Sequence, residues 1–273
     1  MAKTNLWGPL AAAAGMLLAV GLVLLIMVVV EASPAEATFP GNPGKIAYYG
    51  YDAPNGDSEI YTIKSGGGGK VQLTDNATND YDPSYSPDGK KIVYSGRDGA
   101  TGDWEIYKIN AGGGGKVQLT NNDTNDYEPS YSPSGKKIVY SGEDGPNGDT
   151  DIYTINPGGG SKFNVTDNNA DEYYSSYSPS GKKIAYQGED GPNGDWEVYT
   201  INSGGGSKFK VTDNSTNDGG GLSYSPSGKK IAYSGRDGAT GDWEIYTINP
   251  GGGGKFKVTD NSTDDYYASW GSS

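Results

Sequence analysis

The sequence predicts an all-β fold, a five-bladed β-propeller of four-stranded blades that follows an N-terminal hydrophobic helix. Three observations predict it: a long repeat, four strand-like segments in each repeat, and an apolar run confined to the N-terminus. An isoleucine after a lysine recurs at steps of 46, 46, 46 and 47 residues, at Ile46, Ile92, Ile138, Ile184 and Ile231. A period of this length with four short strands per unit is typical of propeller blades.

The N-terminal segment differs from the repeats. No charged residue occurs from Asn5 to Val30; Lys3 precedes this run and glutamates follow it, an order that favours export of the remainder. The run is long enough to span a bilayer, yet Ala35-Glu36-Ala37 resembles a signal-peptidase site. Residues 1–37 are therefore predicted to be a signal peptide or a membrane anchor, and residues 38–44 a linker. Both interpretations place the rest, as a secreted, periplasmic or membrane-anchored domain, outside the cytoplasm.

Residues 45–273 are predicted to form the propeller. Each repeat contains segments of the form PSYSP, KIVYSG, WEIYKI and KVQLT, here named strands a, b, c and d; β-branched and aromatic residues favour strands, and Gly-, Pro- and Asn-rich turns separate them. Strands a to d are continuous in four predicted blades, 83–122, 129–168, 175–214 and 222–261. The first repeat begins at strand b, and the chain ends with a lone strand a at 266–273. That last strand is predicted to complete the first blade and close the ring, leaving no open edge.

Composition excludes several functions. The sequence contains no Cys and no His, so disulfides, thiol chemistry and histidine-based catalysis or zinc binding are excluded. The net charge of −13 argues against nucleic acid as a partner, because such binding depends on cationic side chains. The near-identity of the repeats gives no unlike pair of catalytic groups, and no catalytic residue is predicted.

The repeats resemble the WD40-like (PD40) propeller repeats of the TolB family. The family pattern, approximately W-S-P-D-G-K-x-I-A-[FY], then D-x-[DE]-I-Y, then L-T, is similar to the stretch from Tyr85 to Thr120. The family's Trp is replaced by Tyr in most repeats here and is retained only as Trp270. TolB itself has six blades and an additional α/β domain, neither of which matches five repeats. The resemblance therefore implies a propeller fold and leaves a Tol-type role open.

Loop parity predicts an acidic binding face. Because strands alternate in direction, the d–a loops and the b–c loops lie on one face, whereas most lysines belong to the a–b and c–d connections on the other. The aligned acids and tyrosines that lead into strand a are predicted to surround the mouth of a central channel: Asp80, Asp126, Glu172, Asp218 and Asp265, with Tyr81, Tyr127, Tyr173 and Tyr266. Such a field selects cationic partners.

The b–c loops follow the pattern D-G-x-[NT]-G-D-x-[DE]. Calcium prefers several hard oxygen ligands on glycine-containing loops, so these acids are candidate calcium ligands, although the spacing is not that of an EF-hand. The alternative is a plain hairpin turn in which Asp and Asn bond the backbone. The candidates are Asp98, Asp103, Glu105, Asp144, Asp149, Asp151, Asp190, Asp195, Glu197, Asp237, Asp242 and Glu244.

The sequence thus predicts an exported, non-enzymatic module that binds a protein or another cationic ligand through its acidic face, with calcium as a candidate ion. The membrane is contacted only through the N-terminal segment. Trp104, Trp196 and Trp243 occupy one equivalent position, where they either pack between blades or stack on sugars. A lectin-like propeller is therefore the second interpretation, and a glycoside hydrolase, which needs a specific pair of carboxylates, is the third.

Overall fold

The computed structural model describes residues 44–52, 56–97, 101–143, 148–190 and 194–270, apart from the side chains of Asp52 and Asp190. The predicted signal peptide or anchor, and all of the linker except Gly44, lie outside this part of the chain. Every regular element in the described ranges is a β-strand. None of these residues forms a helix of the length and apolar character that a bilayer crossing requires.

The strands form five antiparallel sheets that follow one another along the chain. Sheet 1 has three strands, in the order b, c, d: β1 (Lys45–Asp52), β2 (Asp57–Lys64) and β3 (Val71–Gln72). Sheets 2 to 5 each have four strands in the order a, b, c, d, as the repeat predicts.

The bounds of sheets 2 to 5 repeat closely. Sheet 2 contains β4 (Asp80–Tyr85), β5 (Lys91–Arg97), β6 (Trp104–Asn110) and β7 (Val117–Gln118). Sheet 3 contains β8 (Asp126–Tyr131), β9 (Ile138–Gly142), β10 (Asp151–Ile155) and β11 (Phe163–Asn164). Sheet 4 contains β12 (Glu172–Tyr177), β13 (Lys183–Asp190), β14 (Asp195–Asn202) and β15 (Phe209–Lys210). Sheet 5 contains β16 (Asp218–Tyr224), β17 (Ile231–Arg236), β18 (Trp243–Ile248) and β19 (Phe256–Lys257).

Strand a begins earlier than the sequence predicts, at the acidic residue that ends each d–a loop. In sheet 2, Asp80 lies opposite Gly96 on strand b, and a bulge follows between Tyr81 and Ser84. Asp82 has a φ of 53° within this bulge, and the equivalent Glu128 has a φ of 55°. A bulge turns the strand locally, so the acid and the Ser-Tyr end of strand a both remain in the ladder.

Apolar side chains from consecutive sheets interlock and form the core. Between sheets 2 and 3, for example, Val93 and Ile106 pack against Tyr131, Ile138 and Tyr140. Equivalent clusters join sheet 1 to 2, sheet 3 to 4 and sheet 4 to 5. Because each interior sheet buries both faces, it depends on its neighbours for stability, as in other repeat architectures.

The two ends of this series differ from its interior. Within the described residues, β1 pairs only with β2, and Ile46 is 51% exposed, whereas Ile92, Ile138, Ile184 and Ile231 are fully buried. Residues 264–270 are not assigned to a strand, but they lie on sheet 5 in the way that strand a of a following sheet would. Ring closure by these residues therefore stays a prediction.

Backbone contacts support that placement of the C-terminal segment. The amide of Tyr267 donates to Ser234 Oγ at 3.2 Å, just as the amide of Glu128 donates to Ser95 Oγ at 3.0 Å. Tyr267 also has a φ of 57°, the value typical of the strand-a bulge in the other sheets. The segment thus has the strand-a conformation, although no ladder is assigned to it in the described part of the chain.

The outer strand d of each sheet is only two residues long. A glycine-rich turn precedes it, and its first side chain is partly exposed, as in Phe163 (45%) and Phe209 (44%). The outer edge of every sheet is therefore short.

Candidate functional site

The d–a loops and b–c hairpins lie at one end of the sheets, here called the loop face. An asparagine at the second position of each d–a loop organises it. The Asn122 side-chain Nδ2 donates to Asp126 Oδ2 at 2.9 Å, and the backbone N–H of Asn122 donates to Glu105 Oε1 at 2.7 Å. The same bond from the asparagine side chain to the acid of strand a occurs in all five loops, from Asn76, Asn122, Asn168, Asn214 and Asn261.

The structure corrects the predicted ring of exposed acids at a channel mouth. Asp80, Asp126, Glu172 and Asp218 are fully buried, and Asp265 is half-buried. Desolvation raises the pKa of Asp80, Asp126 and Glu172 to about 7 each, and raises that of Asp218. These carboxyls lie between sheets and hold the loops, because their position at the start of strand a turns them inward.

The lysines that precede strand d are also placed differently from the prediction. Lys208 and Lys255 reach across the sheet face to the buried acids, with Nζ at 3.5 Å from Glu172 Oε1 and 3.2 Å from Asp218 Oδ2. On the way the Lys208 ammonium lies 4.4 Å from the ring centre of Tyr199, which is stacked on Tyr186. Cation–π contacts and ion pairing thus bring these charges together. The expected separation of lysines from acids is wrong for this set.

Carboxylates within the first three residues of strand c anchor the d–a loops. The glutamates Glu105, Glu197 and Glu244 each accept a hydrogen bond from the asparagine amide of the loop that leaves their sheet, at 2.6–2.8 Å. Asp151, one carbon shorter, accepts a 3.0 Å bond from Thr166 Oγ1 and a longer one, at 3.4 Å, from the Asn168 amide. All four residues are fully buried. Their role as calcium ligands is therefore corrected to that of loop anchors.

The other calcium candidates have three different kinds of surroundings. Asp98 and Asp144 lie outside the described residues, as does the side chain of Asp190. Asp237 pairs with Lys257 at 2.9 Å, and Asp103 and Asp242 are half-buried. Asp149 and Asp195 have carboxylate oxygens that are buried without a hydrogen-bond partner. Within the described part of the chain, no group of three or more acidic side chains is close enough together to hold a metal.

The tyrosines of the predicted mouth form part of an aromatic row on the loop face. Tyr81 lies between Tyr49 and Trp104, with ring centres 4.8 and 5.3 Å away, and Trp104 continues to Tyr127 at 6.2 Å. The row is repeated as Tyr173–Trp196 at 5.8 Å and Trp243–Tyr266 at 5.6 Å. The tryptophans are half-buried and Tyr266 is 48% exposed, so the rings pack between strands and still present a surface.

A second acidic group, which the sequence analysis missed, lies at the strand-a bulges. Glu128 Oε2 accepts the Tyr174 amide at 2.7 Å, and desolvation raises the pKa of Glu128 to about 8. Asp82 is close enough to contribute to that shift; its own pKa is raised by desolvation although its side chain keeps an exposed surface. Only the positive φ at these positions distinguishes them, and the residue types give no signal for it.

Comparison with known proteins places this architecture in a family. Residues 98–272 match the family described as PD40, the TolB β-propeller domain. The chain belongs to the PD40 family. No curated protein matches the sequence.

Solved structures give the same fold assignment for this PD40 chain. TolB from Acinetobacter baumannii is 23% identical, with a TM-score of 0.69; the match covers 84% of this chain but 54% of that one. A putative TolB from Agrobacterium tumefaciens is 21% identical, with a TM-score of 0.63 over 79% of this chain and 81% of that one. A chain of a nidogen/laminin complex is 9% identical, with a TM-score of 0.64 over 82% and 81%. At these identities the likeness shows the propeller fold alone.

Proposed function

We propose that the chain is an exported, non-catalytic interaction module that binds a basic partner protein through the loop face. The observation that carries this proposal is the half-exposed row of tyrosine and tryptophan rings, bordered by exposed carboxylates. Tyr and Trp are enriched among the residues that dominate binding energy at protein interfaces. Membership of the PD40 family supports the propeller scaffold on which such a surface is built.

The charge of the face favours a cationic partner. The buried acids do not contribute to it directly, but exposed aspartates lie in the d–a loops of the same face. They are Asp123, Asp167 and Asp213, and Asp260 in the last loop. Complementary charge mainly steers association and selects partners, whereas buried aromatic contacts supply affinity. In this proposal the acidic surface is carried mainly by Asp123 and Asp167, because Asp213 and Asp260 each pair with a lysine three residues earlier, at 2.7 and 2.5 Å.

A carbohydrate ligand is the second candidate, because the same rings would stack on sugars. Trp104, Trp196 and Trp243 each face a strand-a tyrosine in the same way, which would give repeated, equivalent subsites. A protein partner remains the proposal, because the exposed aspartates would favour binding of a basic protein. They would add nothing to the affinity for a neutral sugar.

We further propose that the propeller closes within one chain by pairing of the C-terminal segment with β1. Among the described residues no strand a lies beside strand b of sheet 1, and residues 265–270 have the strand-a conformation without pairing to a strand b. By the register of sheet 2, Asp265 would lie opposite Gly50 and Trp270 opposite Ile46. Closure would bury the exposed Ile46 side chain and remove the open edge of β1.

The function proposal is tested with a matched pair of charge variants. Proteins that bind the full-length chain in an extract of the source organism are identified by cross-linking, and their affinities are then measured with purified components. The triple variant Asp123→Asn, Asp167→Asn, Asp213→Asn should weaken binding at least tenfold at low salt. The control, Lys136→Gln, Lys182→Gln, Lys229→Gln, changes exposed lysines at the opposite ends of the sheets and should bind normally.

The reverse pattern, with binding lost only in the lysine variant, would exclude the loop face. Binding of a neutral glycan that neither variant affects, and that Trp196→Ala abolishes, would favour the carbohydrate candidate instead.

A further inference from the structure

One position of strand a differs among the repeats, although the acid that begins the strand and the Ser-Tyr pair that ends it are nearly constant. It is the bulge position, two residues after the acid, and its backbone has a positive φ throughout. The residues there are Asp82, Glu128, Tyr174, Gly220 and Tyr267. A position with a purely structural role would be expected to keep one residue type in repeats that are otherwise so alike.

The side chains at this position come from different repeats and lie together. Glu128 Oε2 accepts the Tyr174 amide at 2.7 Å, and the ring centres of Tyr174 and Tyr267 are 6.0 Å apart. The charge of Asp82 raises the pKa of both Glu128 and Tyr174, so Asp82 lies near both of them. These four residues, Asp82, Glu128, Tyr174 and Tyr267, are here called the bulge cluster.

Glycines in sheet 5 leave room for the contact between the two tyrosines. Gly221 has a φ of 56°, and a Cβ there would lie 2.4 Å from Tyr267 Cα and 3.0 Å from Tyr267 Cδ1. A side chain at Gly221 would therefore displace Tyr267 from Tyr174. The contact joins two parts of the aromatic row, because Tyr173 lies 6.5 Å from Tyr174 and Tyr266 lies 6.3 Å from Tyr267.

The two carboxyls of the bulge cluster have no cationic partner in the described part of the chain. None of the ion pairs among those residues includes Asp82 or Glu128. Asp82 is exposed and Glu128 is half-buried, yet desolvation raises the pKa of both. A carboxyl that is desolvated and still accessible lies in a recess rather than on a convex surface. The recess is therefore open to a small group and lacks a positive charge.

A buried hydroxyl beside the cluster also lacks a partner. Ser95 Oγ accepts the bulge amide of Glu128 at 3.0 Å, and Ser141 occupies the equivalent place before the bulge of Tyr174. Because Glu128 takes the Tyr174 amide, Ser141 Oγ is left fully buried without a hydrogen-bond partner. Ser141 lies close enough to the Glu128 carboxyl to lower its pKa. A buried polar group without a partner is costly, so this hydroxyl leaves hydrogen-bonding capacity unused beside the recess.

We propose that the bulge cluster binds one guanidinium or primary ammonium group, held between the carboxylates of Asp82 and Glu128 and the rings of Tyr174 and Tyr267. Carboxylates accept short, charge-assisted hydrogen bonds from such groups, and aromatic faces attract them through cation–π contacts. The group belongs either to an arginine or lysine side chain of a polypeptide or to a free small amine. This site does not depend on the basic partner proposed for the loop face.

The test titrates the full-length chain with Nα-acetylarginine amide and follows the NMR signals of the probe. Nα-acetylcitrulline amide, which has nearly the same shape without the charge, is the matched probe. The arginine probe should bind saturably, and the citrulline probe should bind at least about tenfold more weakly. Agmatine, a free guanidino amine, distinguishes the sources. Tighter binding of agmatine than of the arginine probe would assign the site to a free amine, and the reverse to a polypeptide side chain.

Variants of the cluster locate the binding. Glu128→Gln keeps an oxygen for the Tyr174 amide but removes the charge, and it should weaken binding of the arginine probe at least about tenfold, as should Asp82→Asn. Tyr267→Ala should weaken binding roughly three- to tenfold through loss of a cation–π contact. Asp88→Asn removes an exposed carboxylate at the opposite ends of the sheets, and this control should bind as the parent does.

Thermal unfolding without probe checks that each variant is folded. Glu128→Gln should unfold at the same or a higher temperature than the parent, because it removes a desolvated charge that has no cationic partner. The proposal is overturned if neither charged probe binds, if the citrulline probe binds as tightly as the arginine probe, or if both acid variants keep the parent affinity. The proposed loop-face function is tested through other aspartates, so each of these outcomes leaves it unaffected.

Discussion

Lowering the pH from 8 to 5 should stabilise the protein, the opposite of ordinary acid denaturation. Desolvation raises the pKa of Asp80, Asp126 and Glu172 to about 7, against about 4 in an unfolded chain. Between these values the folded state binds more protons than the unfolded state, so the free energy of unfolding falls as the pH rises. We expect the thermal midpoint at pH 5 to exceed that at pH 8 by roughly 5–10 °C.

The variant Asp126→Asn isolates this effect. A neutral amide of the same shape still accepts the hydrogen bond from Asn122 but cannot titrate. The variant should be at least as stable as the parent at pH 8 and should show a flatter dependence on pH. Asp123→Asn, which changes an exposed carboxylate three residues away, serves as the control for net charge and should keep the parent slope. Parallel profiles for parent and Asp126→Asn would contradict the assignment.

Replacing Gly96 with alanine should destabilise the protein by about 2–3 kcal/mol, because it overpacks the space between strands a and c. A Cβ at Gly96 would lie 2.6 Å from Asp80 Oδ1 and 2.8 Å from Tyr107 Cδ2. Gly235→Ala should behave alike, since its Cβ would lie 2.4 Å from Asp218 Oδ1. Urea unfolding of the full-length chain measures both.

The equivalent substitution in sheet 1 is a matched control and a test of ring closure. A Cβ at Gly50 would first meet the Tyr61 ring at 3.4 Å, because no strand a from the described residues covers it. With the inner edge of β1 unpaired, Gly50→Ala should change stability by less than about 0.5 kcal/mol. If Asp265 pairs opposite Gly50 in solution, the loss should approach that of Gly96→Ala. A small effect would therefore count against closure within the chain.

The repeat allowed strand order and sheet composition to be predicted well. Period and residue type identify strands b and c closely, because Ile, Val, Tyr and Trp on both faces require a sheet buried on both sides. Strand a was predicted to begin at 83 and begins at Asp80, since an acid followed by a tyrosine resembles the end of a polar loop.

The site was harder to predict, because loop parity assigns a loop to a face without giving the direction of its side chains. Asp126 points inward because the Asn122 side chain and the pairing of strand a hold it there. The bond between Asn122 and Asp126 crosses the d–a loop, so it forms only when that loop has its folded conformation. Lys208 reaches the acid of its own sheet only because its long side chain lies over stacked tyrosine rings. Neither geometry is encoded in spacing alone.

The short outer strands also determine how copies of the protein can associate. A two-residue edge offers an incoming strand too few free amides and carbonyls to template fibre growth. The eight-residue β1, with Tyr49 and Tyr51 exposed, is the longest edge strand in the described part of the chain. Amyloid-like polymerisation, if it occurs, should therefore start at β1, and whatever pairs with that strand acts as a built-in inhibitor of aggregation.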